Sequence, residues 1–518
     1  MEKEYIVVVN AGVDLEEFDT ELAASTGEGP IPNRSVDIAN PRIGSKRMTH
    51  WMLTDEEASA LMSDPRVLSV EIPPDQRNDI QIGKRAYQGS DFGKPTALNE
   101  TQVNWGLRRC IESTNVYSNN ATTAGQYQYS LDGTGVDVVI QDSGLQVDHP
   151  DFFDYNGVTR VQQIDWYTAS GLTGTQSANF YRDFDGHGTH CAGIAAGLTY
   201  GWAKGAHVYA QKLAGLEGSG DAGNGISITD AFDTIRLWHA AKTNGRPTVV
   251  NMSWGYFSEV SGNPTGGNYR GSPWVWGVDY NNDVFLWQNT GIVPPLIGTT
   301  RFFPARIASV DAEIEDMIDA GIHVCVAAGN DYYKGDILGG TDYDNTIVYG
   351  AQTFYYARGS SPHSDNAFIV GNSDNDTELD GSTYKDKPSN SSSRGPRVNV
   401  WAPGTNIIST CSTTSIYSTI NYPSNQNFKI AMINGTSMAA PQVAGVCALH
   451  LQSLPNLTPA QLKTRIENDS PAVLFSTGLD NDYTAFGTSL MGGPNRFLYN
   501  KYGRQPLIMN NVVTNVSV

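Results

Sequence analysis

The pattern of the chain predicts an α/β fold, a mainly parallel central sheet covered on both faces, preceded by a small α+β unit. Three observations carry this. Short apolar runs at Val136–Ile140, Val208–Ala210, Thr248–Met252, His323–Ala327 and Phe368–Val370 alternate with helix-like stretches, and buried strands followed by helices build parallel sheets. The 518 residues are 39% hydrophobic and 10% aromatic, which suits a well-buried fold and not a disordered chain. The first 75 residues keep a different rhythm, with β-rich runs at Tyr5–Val9, Met48–Leu53 and Val67–Ile72.

Within residues 1–75, Thr54-Asp55-Glu56-Glu57 is a capping box ahead of an apolar turn that ends at Asp64-Pro65. Residues 76–100 lose periodicity and gather polar residues and glycine, the composition of a linker open to proteolysis. The alternating pattern then runs over 101–505 and leaves a tail at 506–518. Two stretches interrupt it. Residues 256–305 are rich in Trp, Tyr, Gly, Asn and Pro, residues 331–366 are polar and Gly-rich, and both read as long surface insertions.

Composition excludes several functions. The net charge is −20, from 34 basic and 54 acidic residues, which disfavours nucleic acid as a partner because that binding runs on Lys and Arg neutralising phosphates. No apolar run approaches the length of a membrane span. Five cysteines (Cys110, Cys191, Cys325, Cys411, Cys447) are widely spaced and form no CxxC pair, so free buried thiols are expected. The N-terminus lacks the basic region, long apolar stretch and small-residue cleavage site of a secretory signal. A cytoplasmic or virion-associated protein is therefore expected over a secreted one.

Three segments carry chemistry. Asp142 follows a buried strand, His187 opens a stretch of small residues that lets a helix pack closely, and Ser437 precedes Met438-Ala439-Ala440-Pro441 at a helix start. Taken singly, such residues are ordinarily a turn former, a structural histidine and a helix cap. Together, in the order Asp, His, Ser, they suit nucleophilic acyl transfer. His190 is the rival base, three residues after His187.

The flanks make this specific. With Gly186-His187-Gly188-Thr189-His190-Cys191-Ala192-Gly193 and Gly435-Thr436-Ser437-Met438-Ala439-Ala440-Pro441, the chain resembles the subtilase, or subtilisin-like, serine proteases. The cysteine after His190, the stretch 101–110 and the stretch 495–503 are similar to the proteinase K branch. Residues 4–74 resemble the family's inhibitor-type propeptide. The resemblance implies a three-layer subtilisin-like domain over 101–505, a ferredoxin-like propeptide over 1–75 and processing within 76–100, at about Ala97–Asn99.

It further implies that Ser437 attacks a peptide carbonyl, His187 relays the proton and Asp142 holds the imidazole. Asn330, in Val326-Ala327-Ala328-Gly329-Asn330, matches the oxyanion donor, while Ser253-Trp254-Gly255 and Gly218-Ser219-Gly220 match the two backbone edges that hold an extended peptide. Polypeptide substrates and the chain's own propeptide, as an intramolecular inhibitor, are the implied partners. No cofactor is required for the chemistry, and structural calcium stays open without assigned ligands. Asp374-Asn375-Asp376 is an acidic loop, but Gly197–Ala203 is short for the family's long calcium loop, and Asn399 replaces an acid.

Cys191 lies one helical turn from His187 and reads as a packed small hydrophobe before a second nucleophile. Two other functions compete. A scaffold built on this fold would use the aromatic insertion as a binding surface, yet it has no need of Asn330 and Ser437 together. A non-peptide esterase would carry a G-x-S-x-G elbow, which is absent around Ser437.

Overall fold

The computed structural model describes residues 2–24, 27, 29–77, 81–84, 98, 103–117, 127, 129–154, 156–477, 483, 488–503, 508–509 and 512–513. Its centre is an eight-stranded sheet. The order is Thr383–Pro388, Phe368–Asp380, His323–Ala327, Thr248–Met252, Asp137–Asp142, His207–Lys212 and Val161–Gln162, with Val400–Pro403 also paired to Phe368–Asp380. All pairs are parallel except the hairpin between Phe368–Asp380 and Thr383–Pro388. The five predicted apolar runs are the inner strands. They are continuous in Val, Ile and Ala because the sheet is covered on both faces, and the helix Thr436–Ser453 crosses one of them almost fully buried.

The N-terminal unit runs strand Lys3–Val9, helix Leu15–Ala23, strands Ile38–Asn40 and Met48–Leu53, helix Asp55–Leu61 and strand Val67–Glu71. The antiparallel order is Ile38–Asn40, Met48–Leu53, Lys3–Val9, Val67–Glu71, a ferredoxin-like arrangement. The capping box forms as read: Thr54 Oγ1 accepts from the Glu57 N–H, and Glu57 accepts from the Thr54 N–H.

The unbroken apolar run of the first strand has a physical cause. Side chains alternate across a strand, and here both faces are used. Tyr5, Val7 and Val9 enter the unit's own core with Phe18, Leu22 and Trp51. Ile6 and Val8, with Met48, pack instead on Ala312 of the helix Ala308–Asp319 in the larger domain.

Charge closes the same interface. Arg42 is buried between Asp233 (2.8 Å) and Glu313 (3.2 Å). Arg236 pairs with Asp233 (2.6 Å) and Glu313 (3.0 Å), and also donates to the carbonyl of Gly44. Burial and the neighbouring Asp233 raise the Glu313 carboxyl to about 7, so its ionised form depends on the two arginines. Glu71 accepts from the Ser309 N–H at 2.7 Å. It thereby satisfies a first-turn amide of a helix whose own N-cap, Ile307, offers no side-chain bond.

Two expectations change. The insertions 256–305 and 331–366 are not separate surface loops. Strand Gly266–Tyr269 in the first pairs with Thr346–Tyr349 in the second, and Trp274, Leu286, Ile292, Phe303, Tyr333, Ile347, Tyr349 and Tyr356 share one apolar cluster. The aromatic richness that read as surface is a second small core. The stretch 76–100 is also not wholly a linker: Gln81–Lys84 is a strand, antiparallel to Trp254–Ser261. Most of its remainder, and most of the tail 506–518, lies outside the described residues.

Removing the Arg42 guanidinium leaves the buried Asp233 and Glu313 carboxylates to Arg236 alone, with a loss of up to about 3–5 kcal/mol, the cost of a broken buried pair. In a Ser437→Ala background, Arg42→Ala should raise amide hydrogen exchange in both Lys3–Val9 and Ala308–Asp319. Unchanged protection in both would show that the charge cluster does not hold the two units together.

Candidate active site

The ends of the parallel strands bring the residues together, as open α/β sheets do at their carboxyl edge. Asp142 is the last residue of Asp137–Asp142, His187 the first of the helix His187–Ala196, and Ser437 the second of the helix Thr436–Ser453. Asn330 follows strand His323–Ala327. The small residues around His187 are there for space: a Cβ on Gly188 would meet the Gly144 carbonyl at 2.1 Å.

His187 Nδ1 lies 2.7 and 2.9 Å from the two carboxylate oxygens of Asp142, and both residues are fully buried. Burial alone would lower the imidazole, but the Asp142 carboxylate and the Cys191 side chain outweigh it and hold His187 well above its ordinary value. His190 is a different case. Its Nε2 faces the carbonyls of Ile407 (3.1 Å) and Ala431 (3.2 Å), and burial pushes it down to about 3. It is a neutral structural histidine, so the rival base is eliminated.

Asp183 went unread in the sequence. Its carboxylate accepts from the N–H groups of Asp185, Gly186 and Thr189 and from the hydroxyls of Ser143 and Thr189. It satisfies the amino end of the His187 helix from outside. Ser143 in turn accepts from the Gly188 N–H at 2.9 Å, tying the strand of Asp142 to that helix. An acid four residues before His187 was the available signal.

Around Ser437 the backbone is the informative part. Pro441 lies inside the helix Thr436–Ser453, beyond its first turn. Proline has no N–H, so it cannot donate to the carbonyl four residues earlier, and that carbonyl belongs to Ser437. Ser253 Oγ (2.9 Å) and Cys191 Sγ (3.4 Å) donate to it instead. Asn251 holds the Ser253 hydroxyl at 2.9 Å. Ser437 Oγ donates to the Ser253 carbonyl at 3.1 Å, while His187 Nε2 carries no hydrogen bond. The contact between His187 and Asp142 is formed, and the Ser437 hydroxyl is turned toward Ser253.

Asn330 Oδ1 accepts from the N–H (2.9 Å) and hydroxyl (3.1 Å) of Thr436, the neighbour of Ser437. That contact fixes the oxygen end of the amide beside Ser437. Burial raises Cys191, which stays a thiol and not a thiolate nucleophile.

Of the two expected edges, Ser253-Trp254-Gly255 is buried. Trp254 packs inward against Phe232 and Tyr256, while Trp254 and Gly255 pair with Lys84 and Gly83. Gly218-Ser219-Gly220 forms a turn with left-handed glycines at φ +84° and +88°. Among the described residues it pairs with no strand. Neither candidate calcium stretch gathers ligands: Asn399 Oδ1 accepts from the Ile369 N–H and Asp374 Oδ1 from the Asp376 N–H. Among the described residues, the single His/Cys/acid group with metal-like spacing is Asp142, His187 and Cys191, and it includes the hydrogen-bonded Asp142–His187 pair.

Comparison with known proteins agrees with this geometry. The Subtilase family (Peptidase S8) model matches residues 133–487. The "Extracellular serine proteinase" of Thermus sp. (strain Rt41A) is 25% identical over 412 residues, 80% of this chain and 68% of that protein. The "Cuticle-degrading serine protease" of Arthrobotrys oligospora is 26% identical over 418 residues, 80% and 72% respectively. A "Subtilisin-like serine protease" of Cochliobolus lunatus is 28% identical over 398 residues, 75% of this chain and 59% of that protein. The crystal structure of fervidolysin from Fervidobacterium pennivorans, described as related to subtilisin, aligns with a TM-score of 0.52 and 19% identity, covering 98% of this chain and 62% of that one.

These names correct the cytoplasmic or virion-associated expectation: a relative is named extracellular, which points to secretion. Fold, site and family match converge on one conclusion, and the chain belongs to the subtilase family.

Proposed function

We propose that the protein is a serine endopeptidase made as a self-processing zymogen. The observation that carries the reading is the buried His187–Asp142 pair beside Ser437 at the head of a helix. Ser437 Oγ attacks the peptide carbonyl and His187 Nε2 takes its proton, then passes it to the leaving amine. Asp142 holds the Nδ1 proton and stabilises the imidazolium. The amide of Asn330 and the N–H of Ser437 receive the oxyanion charge at the helix N-terminus. Water then hydrolyses the acyl-enzyme.

Residues 1–75 act as the inhibitor. Two observations support this role: the N-terminal unit is clamped to the larger domain by Arg42 and Glu71, and the strand Gln81–Lys84 already occupies the backbone edge a substrate would use. Ser437 is fully buried in the intact chain, as a sealed precursor requires. Polypeptides are the substrate class, bound by strand addition.

Intact mass of the wild type beside Ser437→Ala tests the reading. Loss of the N-terminal segment by wild type alone is expected, and full-length wild type under all conditions would sink self-processing.

The pH profile follows from His187. Only the neutral imidazole accepts the serine proton, and its pKa is raised. Activity should therefore be lost as pH falls through a value above the ordinary 6.5 or so. Asp142→Asn should move that limb to lower pH and reduce kcat by about 10⁴-fold. An unmoved limb would mean another group titrates.

Cys191 Sγ lies 4.0 Å from His187 Nδ1, so a bulky mercurial adduct there would displace the imidazole. Cys191→Ser, which keeps a donor for the Ser437 carbonyl, should hold activity within about tenfold and lose mercurial inhibition. Equal inhibition of both forms would place the reactive thiol elsewhere.

A further inference from the structure

At the amino edge of the central sheet lies a cavity of about 520 Å³, a size that suits a small organic molecule. It is lined by His323, the first residue of the strand His323–Ala327, and by Pro247, just before the strand Thr248–Met252. Asn330 and Ser253 follow the other ends of these two parallel strands. The cavity is therefore at the edge of the sheet opposite the candidate active site.

Its polar wall holds donors with nothing to donate to. His323 is 2% exposed, and its Nδ1 is buried without a partner among the described residues. An orphaned atom of this kind destabilises a fold unless a ligand or water meets it. His239 is oriented by a chain of hydrogen bonds. The Lys242 ammonium donates to Thr248 Oγ1 at 2.6 Å, and that hydroxyl lies 2.9 Å from His239 Nδ1. With its oxygen already accepting from Lys242, the hydroxyl donates to Nδ1, which assigns the ring proton to Nε2. Among the described residues Nε2 has no other partner, so it is left as an N–H donor. Arg246 spends Nε on Asp137 (2.6 Å) and Nη2 on the Tyr209 hydroxyl (2.8 Å), which leaves Nη1.

A helix end adds to this wall. Thr458, Pro459 and Ala460 line the cavity at the start of the helix Pro459–Asp469, whose first turn carries no acid. Thr458 caps the Gln461 N–H and Pro459 has none, so the Ala460 N–H is a first-turn donor without a partner among the described residues. The positive end of the helix dipole favours an anion there. One acid, Asp319, stands on the exposed rim. The Lys242 ammonium spends its donors on Asp137, the Arg246 carbonyl and Thr248, and contributes charge alone.

We propose that this cavity binds the phosphate group of a small organic phosphate monoester. A metal ion is the poorer occupant, because the His239 tautomer offers a proton and not a lone pair, and Lys242 and Arg246 repel a cation. The donors come from three separate elements: an imidazole, a guanidinium and a helix amide. They suit the three terminal oxygens of a phosphate monoester better than the two of a carboxylate. Ile318 and Leu457 make another part of the wall apolar, which leaves room for an organic body beside the phosphate. The proposal is independent of the peptidase chemistry, and it gives His323 a reason to be a histidine where an aliphatic residue would pack without an orphaned atom.

The test is calorimetric titration of full-length Ser437→Ala protein with phenyl phosphate and, separately, with benzoate. Phenyl phosphate should bind the more tightly and should raise Tm, because a ligand that binds only the folded state stabilises it. His323→Leu removes the orphaned nitrogen. Its Tm without ligand should equal or exceed that of the parent, and it should bind phenyl phosphate about tenfold more weakly. His239→Phe removes the Nε2 donor and should weaken binding by a similar factor, which keeps the test open if one variant fails to fold. No binding of phenyl phosphate to the parent, tighter binding of benzoate, or folded variants that bind as the parent does would each overturn the assignment.

Discussion

Pro441 leaves the carbonyl of Ser437 without its helical partner, and much of the site is arranged around that one unfilled bond. A buried carbonyl with no donor is costly, about 1–3 kcal/mol, so the fold must deliver donors to it. Ser253 brings a hydroxyl from the end of the strand Thr248–Met252, and Cys191 brings a thiol from the helix of His187. Both contacts fix the nucleophile's backbone relative to the base and to the groove edge. The same residue, Ser253, accepts the Ser437 hydroxyl on its carbonyl. Ser253 therefore ties Ser437 to the turn between the strands Thr248–Met252 and Trp254–Ser261.

This gives Cys191 a reason to be a cysteine-sized donor. Burial holds its thiol in the protonated form, and it reaches from the helix of His187 to that of Ser437. A small, weakly polar side chain meets the packing demand and the carbonyl's demand together. Asp183 plays the corresponding part on the other side. It satisfies the amides ahead of His187, so that the helix can begin at the catalytic residue without leaving buried donors unpaired.

What the sequence made legible was local. The Asp, His and Ser segments, the strand runs and the Thr54 capping box depend on near neighbours, and each stands where its pattern put it. What escaped was non-local. The pairing of Gly266–Tyr269 with Thr346–Tyr349 joins segments some eighty residues apart, and no periodicity in either segment encodes the other. Polar, Gly-rich composition read as loop because strand pairing between two insertions has no signature in either one. The groove strand Gln81–Lys84 escaped for the same reason, its partner being Trp254–Phe257. Pro441 was legible as a residue, but its effect required knowing where the helix starts.

The N-terminal unit and the catalytic domain also share constraints that make the unit's hold conditional. Arg42, Asp233, Arg236 and Glu313 form a buried cluster with charge contributed from both sides, and Glu71 completes a helix end that the larger domain leaves open. None of these contacts passes through the groove strand. Cutting the chain beyond Lys84 would therefore leave the clamp intact while removing the covalent link that raises the strand's effective concentration in the groove. The unit's hold on the larger domain rests on its own interface and not on the groove strand. The contacts that hold the unit and the strand that lies in the groove are therefore in different places.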